Sequence, residues 1–477
     1  MAKDGKQRLY TQTQVDRVVE QAVEPLLEKI AELEAKIARL TRDSRTSSKP
    51  PSTDVVRPES KGKRGKRKPG GQKGHPKQER ELFPPNQVDA VYEYELTDTT
   101  GLKPLAGDAG WGVVQQIELI DKPYRITEYR VRRYVDVATG RIVIAPLPKE
   151  IRRGGLLGPR LTTFVAYLKG AGHLSYRAIQ ALFDEVMGLS LSVGLLAKAV
   201  GKVTDALAHP YEELLAMLPR QPVLGIDETG HRHRGKHCWT WCMHAPGAPG
   251  APGDALGGGI TCFVIDASRG SDVVKELIGE DYAGVVVCDY FSAYRKCLSD
   301  MDKLTVQFCW AHLVRDVKFV AEHPDKVTRR YGQKVLSPVR KLFKLLARRT
   351  QLTAAGYRQS LDNLRRQVLK AIRGVPSRVE ALKIAKRFRK HAASYFTFMD
   401  HEGVDPTNNR TEQKIRFVVI DRKITQGTKG EIGWQWCQRI WSTIATCRQR
   451  DKSVYQFLLD AINARLGDQP APSLIDA

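Results

Sequence analysis

Three acidic residues of this chain stand where carboxylates hold metal ions. The apolar run VLGID ends at Asp227 and the run GVVVCD ends at Asp289. Short continuous apolar runs are strands buried on both faces, as at the parallel centre of an α/β sheet. One aspartate after a strand is ordinarily a turn or a helix cap, but two emerging at the same sheet end lie within reach of a shared cation. Glu228 adjoins Asp227. Neighbouring strand residues point to opposite faces, so only one of the two faces the metals, and Asp227, where the apolar alternation ends, is the choice. Hard Mg²⁺ ions prefer carboxylate and water oxygens, and two of them roughly 4 Å apart clamp the attacking and leaving oxygens of a phosphoryl transfer. A third carboxylate is therefore needed. Glu412 supplies it, in EGVDPTNNRTEQKIRFVVIDRK, where Asp405, Thr407 and Asn408 are placed to cap the helix that carries it. The competing role for Glu412 is a surface ion pair with Arg416 one turn on, worth only a few tenths of a kcal/mol.

Asn408, Asn409, Arg410, Lys414, Arg416, Arg422 and Lys423 surround Glu412 with amide and cationic groups that suit the phosphate oxygens flanking a cleavage site. The segment CWAHLVRDV adds a C-x-x-H of Cys309 and His312, followed by Arg315. Without a second such pair it does not make a four-ligand zinc site. Packing is the expected role of Cys309, with His312 and Arg315 at the mouth of the site toward DNA.

Five strands are expected to position the carboxylates: VLGID, HCWTWCMHA, ITCFVIDA, GVVVCD and VQFCW, with a helix near residues 272–279 before the fourth. The APG triplets between the second and third are too few for a collagen-like helix and read as a hairpin tip. Three strands joined by hairpins, then two by crossovers, is the strand order of an RNase H-like sheet, whose first and fourth strands are parallel neighbours. The catalytic domain is placed at 216–465, with a basic helical insertion over about 320–400.

Upstream, helices at 158–170, 176–187 and 192–207 make a 151–215 domain. The last two are spaced as a helix-turn-helix, with Lys198 and Lys202 offered to a major groove; helical hairpins serve equally as scaffolding. Residues 86–150 alternate polar and apolar positions, as a small antiparallel β domain does. Residues 46–85 lack periodicity and carry KGKRGKRKPGGQKGHPK. This is a flexible linker whose Lys61, Lys63, Arg64, Lys66, Arg67, Lys68 and Lys73 neutralise phosphates or are simply solvated. In 1–45, Val19, Val23, Leu26, Ile30, Leu33, Ile37 and Leu40 recur at spacings of four and three, a short coiled-coil seam or one face of a packed helix. Residues 466–477 read as a tail.

Lys and Arg outnumber Asp and Glu by 77 to 53, a net charge of +24, and such a field draws polyanions and opposes self-association. Nucleic acid is the indicated partner; a membrane would require an apolar span or a basic amphipathic anchor, and neither is found. The 8 cysteines form no C-x-x-C and lie in apolar runs of the second half, as reduced, buried thiols do.

The segments SSKPPSTD, RKPGGQKGHP, VLGIDETG, VVVCDYFSAY, CWAHLVRDV, PTNNRTEQKIR and IATCRQRDKSVYQFL, in this order, together resemble the insertion-sequence-sixty-six family of bacterial transposases. The resemblance implies a DDE triad on an RNase H-like fold: Asp227 in the D-E-T pattern, Asp289 in C-D-Y, and Glu412 after N-N-x-x. It also implies two Mg²⁺ ions, with Mn²⁺ as a substitute, and strand cleavage and transfer on double-stranded DNA at terminal inverted repeats. A homodimer or larger assembly on DNA, accessory proteins of the same element and a cytoplasmic, nucleoid-associated location go with it. The chain departs from its relatives in two places. LTDTTGLK and YVDVATGR stand where many carry C-x-x-C knuckles, so zinc is not expected, and Thr411 and Gln413 flank Glu412 in place of Ala and Arg. Two rivals remain open: a non-catalytic DNA-binding regulator with a degenerate core, and a structure-selective nuclease that cuts without joining.

Overall fold

The computed structural model describes residues 11–42, 81–94, 96, 98, 100, 113–120, 122–247 and 258–475. The basic run from Lys61 to Lys73 and most of the APG tip lie outside them. An N-terminal helix α1 (Gln12–Leu40) comes first, then a hairpin of β1 (Arg133–Val135) and β2 (Ile142–Ile144), α2 (Lys149–Gly154), α3 (Pro159–Gly170), α4 (Tyr176–Ala181), α5 (Val193–Ala206) and α6 (Ala208–Met217). The central portion holds β3 (Val223–His233), β4 (Lys236–Ala245), β5 (Ile260–Asp266), α7 (Ser271–Ile278), β6 (Val285–Cys288), α8 (Ser292–Asp300) and β7 (Thr305–Phe308). Helices complete it: α9 (Trp310–Ala321), α10 (Lys326–Leu346), α11 (Ala354–Ile372), α12 (Val379–His391), α13 (Asn409–Thr425), α14 (Glu431–Gln449) and α15 (Val454–Leu466).

The sheet is mixed, in the order β5-β4-β3-β6-β7, with β3, β4 and β5 antiparallel and β6 and β7 parallel to β3. All four residues of β6 are buried, as its unbroken Val-Val-Val-Cys run requires. The strand β3 corrects one expectation. It does not end at Asp227 but continues to His233, paired with β4 and, at its end, with the backbone of Thr428, because Arg234 and Gly235 take the two positive-φ positions of a tight hairpin turn. The polar run ETGHRH hides this extension from hydropathy.

Helices α3 to α6 and α14 and α15 share one continuous apolar core with the sheet, from Leu157 to Leu474. Ser192 caps α5 by accepting from Leu195 N, and Leu196, Val200 and Val203 of α5 are buried. The last described residues also dock: Leu474 is fully buried and Ser473 donates to Glu213. Between 86 and 150 the only strands among the described residues are those of the β1–β2 hairpin, whose strand residues are all exposed. At the C-terminal end of α1, Arg39 pairs with Glu380 at 2.9 Å and Arg42 with Asp316 at 2.6 Å, while its apolar stripe stays exposed. Among the described residues no helix is long and apolar enough to cross a membrane. All eight cysteines are free and buried.

Candidate active site

Sheet register brings the two aspartates together. Val223, Leu224 and Gly225 of β3 stand opposite Val285, Val286 and Val287 of β6, and this pairing, continued two residues, sets Asp227 level with Asp289. Residues level on parallel neighbours share a face. Asp289 follows the last residue of β6 and accepts a 2.9 Å bond from Phe291 N, the turn that leads into α8.

Glu228 points the other way, as alternation demands. Its carboxylate is 2% exposed, paired with Arg269 at 2.6 Å and accepting from Tyr294 OH. The Arg269 guanidinium in turn stacks 4.0 Å from the Phe291 ring and 4.4 Å from Trp239. Glu228 is thus satisfied within the fold on the face opposite Asp227.

The helix α13 is laid across β3 on the Asp227 face. Asn408, at its N-cap position, does not cap with its side chain; Nδ2 donates to Ile226 O at 2.8 Å instead. Asp405 accepts from both Thr407 N and Thr407 Oγ1, shaping the turn before it. A Cβ on Gly225 would stand 2.1 Å from Thr411 Oγ1, so the glycine permits this close approach. The first turn of α13 therefore carries Glu412 to the strand end.

Glu412 pairs with α9, not with Arg416. Its Oε1 lies 3.7 Å from His312 Nδ1 and its Oε2 3.9 Å from Arg315. Both Glu412 Oε1 and His312 Nδ1 are buried without a hydrogen-bond partner. The N-terminus of α9 is fixed beside the strand ends by Cys309 N donating to Cys288 O at 2.7 Å and Trp310 N to Pro406 O at 2.9 Å. A Cys309 sulfur, a His312 nitrogen and a Glu412 oxygen all fall within 4.8 Å of one another. No set of oxygens from Asp227, Asp289 and Glu412 is so compact among the described residues.

Burial and mutual repulsion dominate the electrostatics. Burial raises the Asp227 carboxyl well above the usual range, and the charges of Glu228, Asp289 and Glu412 add to it. Asp289 is raised to about 6, by burial first and then by Glu228, with the Phe291 N–H, Arg269 and Arg387 opposing. Burial also lowers His312.

The structure gathers Asp227, Asp289, Glu412, His312 and Arg315, with Asn408 behind them. Arg422 lies further along β3, donating to Thr229 at 3.0 Å, and Lys414 is half-buried, its pKa lowered by that burial. Asn409, Arg410, Arg416 and Lys423 are exposed. Lys198 is exposed on α5, apart from these residues in the chain, whereas Lys202 donates to Arg153 O at 3.0 Å and to Gly154 O, holding the end of α2. Sequence spacing did not reveal that Cys309 and His312 have a third ligand atom beside them, because Glu412 comes from a distant segment.

Residues 154–435, more than half of the chain, match the transposase IS66 family, and the chain belongs to that family. Membership implies a transposase, a protein that binds DNA. Residues 5–81 match a family of unknown function. A search of curated proteins gives no match.

Proposed function

We propose that the chain is a DDE transposase that cuts DNA at transposon ends and joins those ends to target DNA, through Asp227, Asp289 and Glu412 on an RNase H-like core. The observation that carries this reading is the β3–β6 register, which, continued two residues beyond Gly225 and Val287, brings two half-buried aspartates level, with the first turn of α13 laid beside them. Three antiparallel strands followed by two parallel ones support the fold assignment.

The residues fit two divalent metal ions. Oxygen donors are the hard ligands Mg²⁺ takes, Mn²⁺ being a substitute, and the repulsion that raises Asp227 is what cations between the carboxylates relieve. When bound, such ions lower the pKa of the attacking water and stabilise the departing oxygen. Asp227 and Asp289 hold fixed positions because they sit on or at the end of paired strands. Glu412 reaches the site from α13 by turning from His312 and Arg315. Those two side chains, with Arg410, Arg416 and Lys423, then present donors to phosphate oxygens on either side of the scissile bond. The new 3′-hydroxyl attacks target DNA in the same site, so no protein nucleophile is assigned.

The apolar stripe of α1 pairs with a second copy as a coiled coil, bringing two DNA ends together. The segment from Lys61 to Lys73 contacts phosphates without reading sequence, and the α4–α5 pair, through Lys198, serves as a helix-turn-helix. Residues 216–465 make the catalytic domain, and the protein works at the nucleoid with accessory proteins of its element.

The test is cleavage and joining of a duplex carrying the element's own end in Mg²⁺. Asp227→Asn, Asp289→Asn and Glu412→Gln are expected to bind DNA yet lose on the order of a thousandfold or more in rate. Full activity of Glu412→Gln would remove it from the ligand set. Cutting without joining would favour the nuclease, and metal-independent binding with no cutting by the wild type the regulator.

A further inference from the structure

Cys309, His312 and Glu412 form a second constellation beside the carboxylates. Its three ligand atoms lie close enough together to share one cation. Zinc-type ions take sulfur, nitrogen and oxygen at about 2.0–2.3 Å, which places ligand atoms about 3.3–3.7 Å apart around one ion. His312 Nδ1 and Glu412 Oε1 are 3.7 Å apart, and the sulfur lies within 4.8 Å of both. A contraction of some tenths of an ångström to about an ångström closes the set.

Two independent features point to a ligand. His312 Nδ1 and Glu412 Oε1 are buried with no hydrogen-bond partner, facing each other. Leaving such atoms unsatisfied costs about 1–3 kcal/mol each, a cost a shared cation removes. Cys309 occupies the N-cap position of α9, and its sulfur accepts from Asn408 N at 3.2 Å. These donors favour the thiolate, the form that ligates metal, but burial outweighs them and raises the thiol to about 11, so its proton leaves only as the ion binds.

We propose that Cys309, His312 and Glu412 form a binding site for one thiophilic divalent cation, of the zinc class, with the fourth position open to water. Binding forms bonds from the sulfur, Nδ1 and a carboxylate oxygen to the ion and releases the Cys309 proton to solvent. Mg²⁺, which takes oxygen ligands, does not compete for the sulfur. Glu412 is common to this site and to the proposed catalytic set, so an ion here holds it turned toward α9 and away from Asp227 and Asp289. Zinc is therefore an inhibitor that acts by sequestering one carboxylate. This consequence rests on the DDE reading; the binding site itself does not.

The site is tested first without DNA, on the full chain, with Co²⁺ as the probe. One equivalent is expected to produce a sulfur-to-cobalt charge-transfer band in the near ultraviolet, displaced by Zn²⁺. Cys309→Ala should abolish the band while melting cooperatively, and His312→Gln should change the visible cobalt spectrum. If the alanine variant does not fold, Cys309→Ser replaces it, judged by the same band. No band in the wild type, or a band that survives loss of the Cys309 sulfur, overturns the site. In Mg²⁺-dependent cleavage, stoichiometric Zn²⁺ is expected to suppress the wild-type rate at least tenfold, and a chelator to restore it. The ratio of rates with and without Zn²⁺ should return to near one in the Cys309 variant. A thiolate band in a chain that never cleaves, even with the accessory proteins of its element added, would leave the site standing and sink the DDE reading. Cleavage without a band would do the reverse.

Discussion

At the scale of single residues, Asp227 and Glu228 show how one peptide step separates two carboxylates. Glu228 is enclosed by Arg269 and Tyr294, while Asp227 feels the charges of Glu228, Asp289 and Glu412. Adjacent acids that read alike in sequence therefore meet different surroundings. Glu228→Gln is expected to keep metal-dependent cleavage within about threefold of wild type, since the amide still accepts from Tyr294 and no proposed ligand is lost. Arg269→Ala should cost stability instead. A buried carboxylate losing its partner costs several kcal/mol, but the Arg269 side chain is 38% exposed, so about 1–2 kcal/mol is expected after solvent screening. Urea denaturation of the two variants beside cleavage rates checks both halves. A Glu228→Gln variant as dead as Asp227→Asn would mean that the face assignment fails.

At the scale of elements, the strands of the sheet were legible in the sequence because burial on both faces writes continuous apolar runs. VLGID, GVVVCD and the first part of VQFCW appear as paired strands, β7 stopping at Phe308 where Cys309 and Trp310 open α9. The helices at 159–170 and 193–206 lie within a residue or two of their expected limits, each bounded by a visible cap or proline. The parallel pairing of the first and fourth strands was read from their order, but the packing of the later helices on them was not. Nothing in the polar run after Asp227 announces that β3 continues, and nothing in C-x-x-H shows that Glu412 arrives as its neighbour. Gly225 was the available signal for the seating of α13, since a glycine inside an apolar strand marks the close approach of another chain segment. Gly225→Ala brings its Cβ against Thr411 Oγ1 at 2.1 Å and Asn408 Oδ1 at 3.0 Å, so α13 must lift and carry Glu412 with it. Overpacking of this kind costs about 1–3 kcal/mol. Cleavage should fall at least tenfold, and adding Thr411→Ala, which removes the nearest atom, should recover part of both losses in a double-mutant cycle. Independent, additive effects of the two substitutions would show that this contact does not seat the helix.

At the scale of the whole molecule, charge and apolar surface make opposed demands. A net charge of +24 disfavours bringing two copies together, yet α1 leaves Val19, Val23, Leu26, Ile30, Leu33, Ile37 and Leu40 between 40% and 67% exposed. In the proposed pairing the seam supplies attraction where the field supplies repulsion, and DNA, by neutralising the field, tips the balance toward association. Self-association should therefore be weak in low salt without DNA, and strengthen with added salt or with duplex ends. Leu26→Lys with Leu33→Lys removes two apolar contacts per copy and adds charge to the seam, a loss of roughly 3 kcal/mol or more, about two orders of magnitude in dimer affinity. Sedimentation of the full chain with end-bearing duplex is expected to show two chains per complex for the wild type and one for the variant. Binding of a single end should persist, because neither residue is among those proposed to contact DNA, while joined products that need two ends disappear. If the double variant still assembles two ends and joins them, the stripe of α1 is not what pairs the copies.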